Sequence, residues 1–568
     1  MDEPRTAIKL NFYVIGDPPK RLIAMDLFHD ATISDLILDF VEMYRKIGYG
    51  EVLEPTVFKV ERSRDDLGPR DDDEELVGID EVGEHWPEPD KINKKQIHVL
   101  VHATVRFSYL DNLGEINSSQ AAKHSNFRVQ QRKNGHILNG RPASLAGPPT
   151  VLYHPVFGRF LKNLQSPEPL SANNYKDTDK YFVASQDLYA EEQSRKPDSA
   201  RKSAVRDGST RDLLGPLLGG LLVNAGEPGT HPDGVAVTDN AVWCMIMEMK
   251  NEIGMGGSDP SIQASESYAR VWKTLRDPVK RCCCPSILVA IAGPWMTILG
   301  AIFLERPVIQ PLTDFLWVGD NPSQPSNLDR LARVFRSLAE ARNELKTYYA
   351  NLPSPDQVGA SAFPYPTHYV DSTGRRIEFK YEKHVNRSSR PSDKKDLVFF
   401  ARTVGDTSIR IVVKFVTRYN SDAHRLLAKE GLAPELLYDG TADPTNQPGP
   451  EYSMIIMEYI SGGDLGNNTN PITPGFGRDV ERAIKLLHSQ DLVFGDLRAP
   501  NIIPVRDATK RVTWAKLIDF DWCGEHQKGR YPPIMNEKIV WASEVEPGAL
   551  LDKAHDEEML IKLRARWA

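Results

Sequence analysis

Cysteine is scarce in this chain: five in 568 residues, namely Cys244, Cys282, Cys283, Cys284 and Cys523. An odd number with no pairing pattern is not a disulfide framework and suits a reducing compartment. The run Cys282-Cys283-Cys284 lacks C-x-x-C spacing and a nearby histidine, so it reads as the edge of buried structure rather than a zinc site. Charge of one sign is missing too. Lys and Arg number 70 against 78 Asp and Glu, a net charge of −8, so any contact with nucleic acid must come from a local basic surface. The opening Met1-Asp2-Glu3-Pro4-Arg5 has no apolar core behind a basic start, so no conventional signal peptide is expected. The apolar run from Ser286 to Leu304 is broken by Gly293-Pro294, a strong turn signal. It therefore predicts two buried strands, or a strand and a helix, and no membrane partner.

What is present is an ordinary globular composition, 40% hydrophobic and 26% charged, long enough for three or four domains. An α+β multidomain protein is expected, divided at 1–103, 104–150, 151–325, 326–358 and 359–568. In the first segment Ile8–Val14 and Leu22–Asp26 read as strands, and a helix follows, capped by Thr32 with Asp35 three residues on. Its apolar stripe is Leu36, Ile37, Phe40, Val41 and Tyr44. Thr56–Val60 and Gln96–Val101 read as further strands, with the acidic run Asp71 to Glu75 as a solvated loop between them. Strand, strand, helix, strand, strand is the order of a ubiquitin-like fold. Residues 104–150 are polar and aperiodic, and read as a linker with some ordered structure; they hold Arg128, Arg132 and Lys133. Apolar residues from Leu328 to Leu352 recur at helical spacing between Pro325 and Pro353, a helix that closes the second domain or connects it to the third.

The chemistry concentrates in two places. The first is the segment from Pro232 to Lys250, two β-rich runs around the turn signal Asp239-Asn240. As a hairpin it sets Asp233 opposite Glu248, while Glu248 and Lys250 share a face because side chains alternate along a strand. An exposed pair of carboxylates converging with an amine suits phosphodiester hydrolysis. Asp233 and Glu248 are candidate Mg²⁺ ligands, and Lys250 is placed to position a water and offset charge on phosphate. Pro232-Asp233 followed by Glu248-x-Lys250 resembles the PD-(D/E)XK restriction-endonuclease-like superfamily. The trailing Gln263 and Tyr268 on an expected helix are similar to its RecB-like branch. That resemblance implies that Gln263 orients the site and that an upstream acid contributes, for which Glu192, with Glu191 as rival, is the candidate. The basic stretch from Arg195 to Arg211 reads either as a phosphate contact or as a solvated face.

The second place is Leu487 to Asn501, which resembles a protein-kinase catalytic loop with Asp496 in the base position and Asn501 in the metal-ligand position. Leu517-Ile518-Asp519-Phe520-Asp521 follows where kinases have Asp-Phe-Gly, so Asp519 matches the second Mg²⁺ ligand. Val412-Val413-Lys414-Phe415 resembles the strand whose lysine holds ATP phosphates, and Ile455 to Tyr459 the hinge. Departures accompany the match. Phe494-Gly495 replaces His-Arg, so no arginine there meets an activation-loop phosphate, and Asp521 replaces the glycine. The region of the glycine-rich loop, Lys383 to Leu397, is polar with Arg387 and Arg390. No helix glutamate is evident, only His424 or Glu430 nearby. The resemblance implies a compact two-lobed kinase-like domain that binds ATP, with an active kinase and a regulatory module both left open.

The N-terminal stretches Leu10-Asn11-Phe12-Tyr13-Val14 and Phe58-Lys59-Val60 are loosely similar to the ubiquitin-like N-terminal domain of Crinkler proteins of oomycetes and fungi. The order of ubiquitin-like domain, restriction-endonuclease-like domain and kinase-like domain resembles a described Crinkler architecture. It implies an effector acting on DNA in a nucleus, sometimes that of a host, although the Leu-Phe-Leu-Ala-Lys translocation motif is absent. A Mg²⁺-dependent DNA endonuclease with an ATP-binding domain that regulates it or phosphorylates a partner protein is the leading expectation. A phosphotransferase whose nuclease-like domain only binds DNA or partners, and a non-enzymatic binding module, are the alternatives. Oligomeric state is not legible.

Overall fold

The computed structural model describes residues 7–14, 22–46, 52–62, 74–76, 80–93, 95–105, 109–110, 113–134, 136–181, 214–220, 222–223, 226–250, 253–254, 257–304, 306–319, 321–352, 363–385, 397–405, 408–443, 447–461, 465, 472, 474–506 and 511–564. The chain divides into two compact units. One comprises Met1–Val156 with Asn163–Phe363, the other Phe157–Lys162 with Pro364–Ala568. Helices and several separate sheets make it an α+β protein. Among the described residues no helix is long and apolar enough to cross a membrane.

The first unit opens with β1 (Ala7–Val14), β2 (Leu22–Phe28), α1 (Ile33–Lys46), β3 (Val52–Arg62), β4 (Glu74–Glu75), α2 (Val82–His85) and β5 (Ile97–Val105). The sheet runs β2-β1-β5-β3-β4, with β1 parallel to β5 and the other pairs antiparallel. Thr32 caps α1 reciprocally. Its hydroxyl accepts from Asp35 N at 3.2 Å, and its own N–H donates to Asp35 Oδ2 at 3.1 Å. The apolar stripe of α1 then lies on the sheet, with Phe40 stacked on Phe12 at 5.1 Å. The acidic run is not wholly a loop, because Glu74–Glu75 pairs with Lys59 and Phe58 as a strand.

The second sheet is built from β6 (Gly234–Val237), β7 (Trp243–Lys250), β8 (Ser286–Ala292), β9 (Trp295–Phe303), β10 (Pro307–Pro311) and β11 (Leu316–Trp317), in the order β10-β9-β8-β7-β6, with β11 on β9. The Gly293-Pro294 turn makes β8 and β9 an antiparallel pair, while β7 and β8 run parallel. Every residue of β8 is buried, which is why it reads as an unbroken apolar run: a central strand covered on both faces has no polar side. Covering helices are α6 (Pro260–Thr274), which packs on β7 and β8, and α8 (Asn327–Ala350), with α7 (Arg276–Arg281) between them in sequence. Helix α8 belongs to this unit rather than linking out of it. Tyr349 Oη donates to Pro285 O at 2.9 Å, and Asn240 Nδ2 to Tyr349 O at 2.8 Å.

Residues 104–150, expected as a linker, are integral to the same unit. They carry α3 (Ser118–Ala121) and α4 (His124–Asn134), and Leu138 joins the sheet edge, donating to Pro307 O and accepting from Ile309 N at 2.9 Å each. Helix α5 (Pro155–Gln165) follows. The segment was not legible as part of the fold because its buried apolar residues, among them Leu113, Ala121, Phe127, Ile137 and Leu138, fall on no period. Side chains replace regular pairing: Gln131 accepts from Ile137 N at 2.8 Å and donates to Ile137 O at 2.9 Å.

A buried charge cluster ties this segment to α6. Glu266, fully buried, lies 3.1 Å from His136 Nε2 and accepts from Arg270 one turn on. Burial alone would raise the Glu266 carboxyl, but the His136 hydrogen bond and the His136 and Arg270 charges outweigh it and hold it below its ordinary value. A carboxyl lowered by folding contributes stability above its unfolded pKa, near about 4.3, and loses it as pH falls through the folded value. Denaturant unfolding should therefore show the first unit weakening below about pH 4, and Glu266→Gln should flatten that limb while costing about 3 kcal/mol at neutral pH. An unchanged acid limb would show that this cluster does not carry the linkage.

The second unit contains β12 (His368–Val370), β13 (Arg376–His384), β14 (Val398–Thr403), β15 (Arg410–Val416), α9 (Ser421–Lys429), β16 (Leu436–Asp439) and β17 (Ser453–Glu458), a sheet of order β12-β13-β14-β15-β17-β16. After it come α10 (Pro474–Ser489), β18 (Leu492–Val493), β19 (Ile502–Arg506), β20 (Val512–Leu517), β21 (Gly524–Glu525) and α11 (Lys553–Arg564). Strand β18 pairs β21, and β19 pairs β20. The core of this part joins α10, β19, β20 and α11 through Phe476, Ile484, Leu487, Ile502, Leu517 and Leu563.

Candidate active site

The hairpin β6–β7 pairs Gly234 with Met247, and continuing that register sets Asp233 opposite Glu248. The turn closes at Thr238–Val242 with Ala241 at φ +61°, and a bulge between Ala236 and Val237 takes up the odd residue. Asp233 Oδ2 accepts from Met249 N at 2.7 Å, which draws the carboxylate onto β7.

Helix α6 supplies the rest. Asp259 caps it, accepting from Ser261 N at 2.7 Å, and one turn later Gln263 faces the sheet. Gln263 donates from Nε2 to Glu248 Oε2 at 2.7 Å and accepts at Oε1 from Lys250 Nζ at 2.6 Å. The amide thus links carboxylate and amine in one chain. Ser267, four residues on and hence on the same helical face, donates to Glu248 Oε1 at 3.0 Å. The sequence reading missed Ser267, which the spacing from Gln263 could have found. It named Tyr268 instead, but Tyr268 is buried on another side of α6, donating to Cys284 O at 2.8 Å.

The site was expected to be an exposed carboxylate pair, yet Glu248 has no exposed surface. Burial and then the Asp233 charge push its carboxyl well above the usual range, against the pull of Lys250 and the Ser267 hydrogen bond. The donor set still suits Mg²⁺. Both candidate ligands offer hard carboxylate oxygens, and Mg²⁺ is often held by one or two carboxylates with water completing the shell. Among the described residues no larger group of His, Cys, Asp or Glu is placed to hold a metal. Glu191, Glu192 and the basic stretch 195–211 lie outside the described residues.

In the second unit, Lys414 on β15 donates to Asp519 Oδ1 at 2.8 Å and to Asp521 Oδ1 at 2.5 Å. The carboxylate partners of this lysine are therefore Asp519 and Asp521. Neither residue proposed from the sequence reaches the lysine: His424 is buried with Nε2 2.8 Å from Pro434 O, and Glu430 pairs with Arg482. Burial drives the Asp521 carboxyl up to about 7, with Lys414 opposing and Asp519 adding to the rise. Asp519 sits at φ +75°, a strained conformation for a side-chain-bearing residue.

Asp496, also buried, is raised chiefly by desolvation. Asn501 Nδ2 donates to its Oδ2 at 2.8 Å and to its backbone oxygen at 2.9 Å. Arg498 grips the same carboxylate with Nε and with Nη2, the latter at 2.7 Å, and lies over the Trp541 ring at 5.2 Å. An arginine thus does stand at this loop, two residues after the aspartate. Gly495 is at φ +79°, where a Cβ would also meet Trp522 O at 3.1 Å, so an arginine side chain is not accommodated at that position. The glycine-rich-loop positions Arg387 and Arg390 lie outside the described residues.

No protein-family model and no curated protein matches the chain. A solved structure of the Rad53 kinase domain and SCD2 in complex with AMPPNP matches with 20% identity over 26% of this chain, at a TM-score of 0.18. The chain spans about half of that structure's length (51%).

Proposed function

We propose that the protein is a Mg²⁺-dependent DNA endonuclease of Crinkler-like organisation. In this reading a ubiquitin-like N-terminal domain and a restriction-endonuclease-like domain share the first unit, and the second unit is kinase-like. The observation that carries the nuclease reading is the linked chain Lys250–Gln263–Glu248 beside Asp233, assembled by strand register and one turn of α6. Asp233 and Glu248 would hold the metal, which when bound polarises the phosphate and acidifies a water. Lys250 offsets charge that develops on the phosphate, and Gln263 keeps Glu248 and Lys250 in mutual register. Ser267 and Gln263 hold both oxygens of Glu248, so the carboxylate is oriented before a ligand arrives. The direct test is plasmid cleavage by the purified protein with Mg²⁺ and with EDTA. Cleavage that needs the metal supports the reading; intact plasmid under every divalent ion, with the protein folded, rejects it.

For the second unit we propose Mg·ATP binding, used to regulate cleavage or to phosphorylate a partner. Its support is the convergence of Lys414, Asp519, Asp496 and Asn501, with Asp521 pairing the lysine. Asp519→Asn removes a charge-assisted contact worth about 1.5–3 kcal/mol, so Mg·ATP affinity should fall about 10–100-fold by titration calorimetry. Affinity within about twofold of wild type would remove Asp519 from the nucleotide site. A nuclear location, in the producing cell or a host, is part of the Crinkler-like reading and is tested by imaging the tagged protein.

A further inference from the structure

We infer that the proposed nuclease site takes an unpaired nucleotide, so that its substrate is single-stranded DNA; the inference rests on the nuclease reading and deepens it. Cross-strand neighbours share a face of a sheet. Glu248 pairs with Ala290, and Ala290 with Thr297, while Lys250 pairs with Ala292. The side chains next to the two reacting groups are therefore small, and the sheet face falls away beside them. There a cavity of about 760 Å³ opens, floored by Ala290, Ala292 and Thr297. One wall is the start of α6, ending at Ile262 next to Gln263; the other is α4, which contributes Phe127, Arg128 and Arg132.

That volume lies within the range of sites that enclose a small organic group. A stacked base pair presents only its edges to a protein, whereas this recess takes a base by its faces. Its lining has the two components that single-strand binding uses, an aromatic surface for a base and cations for the backbone. Phe315 stands at the cavity, 60% exposed, so its ring is open to a base entering there. Arg128 and Arg132, both exposed, are four residues apart and so share a face of α4. Arg141 also lines the cavity, but it is paired with Asp259 at 3.1 Å, so the backbone contact is assigned to Arg128 and Arg132.

The test uses one labelled oligodeoxynucleotide, single or annealed to its complement. Binding is read by fluorescence anisotropy with Ca²⁺ replacing Mg²⁺, and cleavage is read with Mg²⁺. Wild type is compared with Phe315→Ala and Arg128→Ala, two exposed positions whose loss leaves the core intact. The single strand should bind about tenfold or more tightly than the duplex. Phe315→Ala should weaken single-strand binding about 5–100-fold, the loss of one stacked base, with the duplex little affected. Equal binding of the two forms, or a preference insensitive to Phe315 and Arg128, overturns the inference. Duplex cleavage with no single-strand preference overturns it while leaving the nuclease reading standing. A Phe315-dependent single-strand preference without cleavage of either form upholds the cavity and sinks the nuclease.

Discussion

Replacing Glu248 with glutamine is expected to abolish the proposed Mg²⁺-dependent DNA cleavage while making the first unit more stable. The two effects have one cause. Glu248 has no exposed surface and sits within the field of Asp233, so its charged form is the disfavoured one in the folded protein. A glutamine of the same shape accepts from Gln263 through its oxygen and can donate to the Ser267 hydroxyl, so both hydrogen bonds survive without the charge. Stability should rise by about 1–2 kcal/mol, the gain seen when a strained functional group is made neutral. Cleavage should fall about a thousandfold or more, because a metal ligand contributes several kcal/mol to transition-state stabilisation and each 1.36 kcal/mol is tenfold in rate. Thermal unfolding and plasmid cleavage on the same preparation measure both. A variant that cuts at the wild-type rate removes Glu248 from the site; one that loses activity only because it unfolds shows that the buried carboxylate is structural.

Asp556→Ala should have the largest effect in the second unit, although it lies 61 residues beyond Gly495 in the loop it supports. Asp556 is buried in the first turn of α11. It accepts from Phe494 N at 2.7 Å and Gly495 N at 2.9 Å, and its Oδ2 lies 3.1 Å from His488 Nε2. Removing the carboxylate strands two buried N–H groups, each costing about 1–3 kcal/mol, so the local loss should be about 3–5 kcal/mol. The loop that loosens is the one that presents Asp496 and Asn501. Hydrogen exchange at Phe494 and Gly495 should accelerate more than about a hundredfold, and Mg·ATP binding should weaken with it. Asp556→Asn keeps an acceptor and should show a smaller effect. Unaltered exchange at both amides would mean that the loop is held by other contacts, such as the packing of Phe494 against Phe520 at 5.6 Å between ring centres.

What the sequence determined by itself is whatever rests on residues close together in the chain. The hairpin of Asp233 to Lys250 follows from two β-rich runs and an Asp-Asn turn, because alternation and turn chemistry are local, and the same holds for the Thr32–Asp35 cap and the Gly293-Pro294 turn. Gln263 could be named because the pattern it resembles is carried in sequence order. Tertiary structure alone decided the contacts that close over long stretches of chain. Residues 104–150 became part of the first unit because Leu138 found the edge at Pro307 and His136 found Glu266, and neither pairing has a period to read. Asp521 became the partner of Lys414 across 107 positions, and Asp556 the support of the Phe494–Gly495 backbone. The burial of Glu248 was decided in the same way. A carboxylate on a strand has no fixed environment until a helix covers it, and only the packing of α6 on β7 and β8 determines whether that charge meets water or protein.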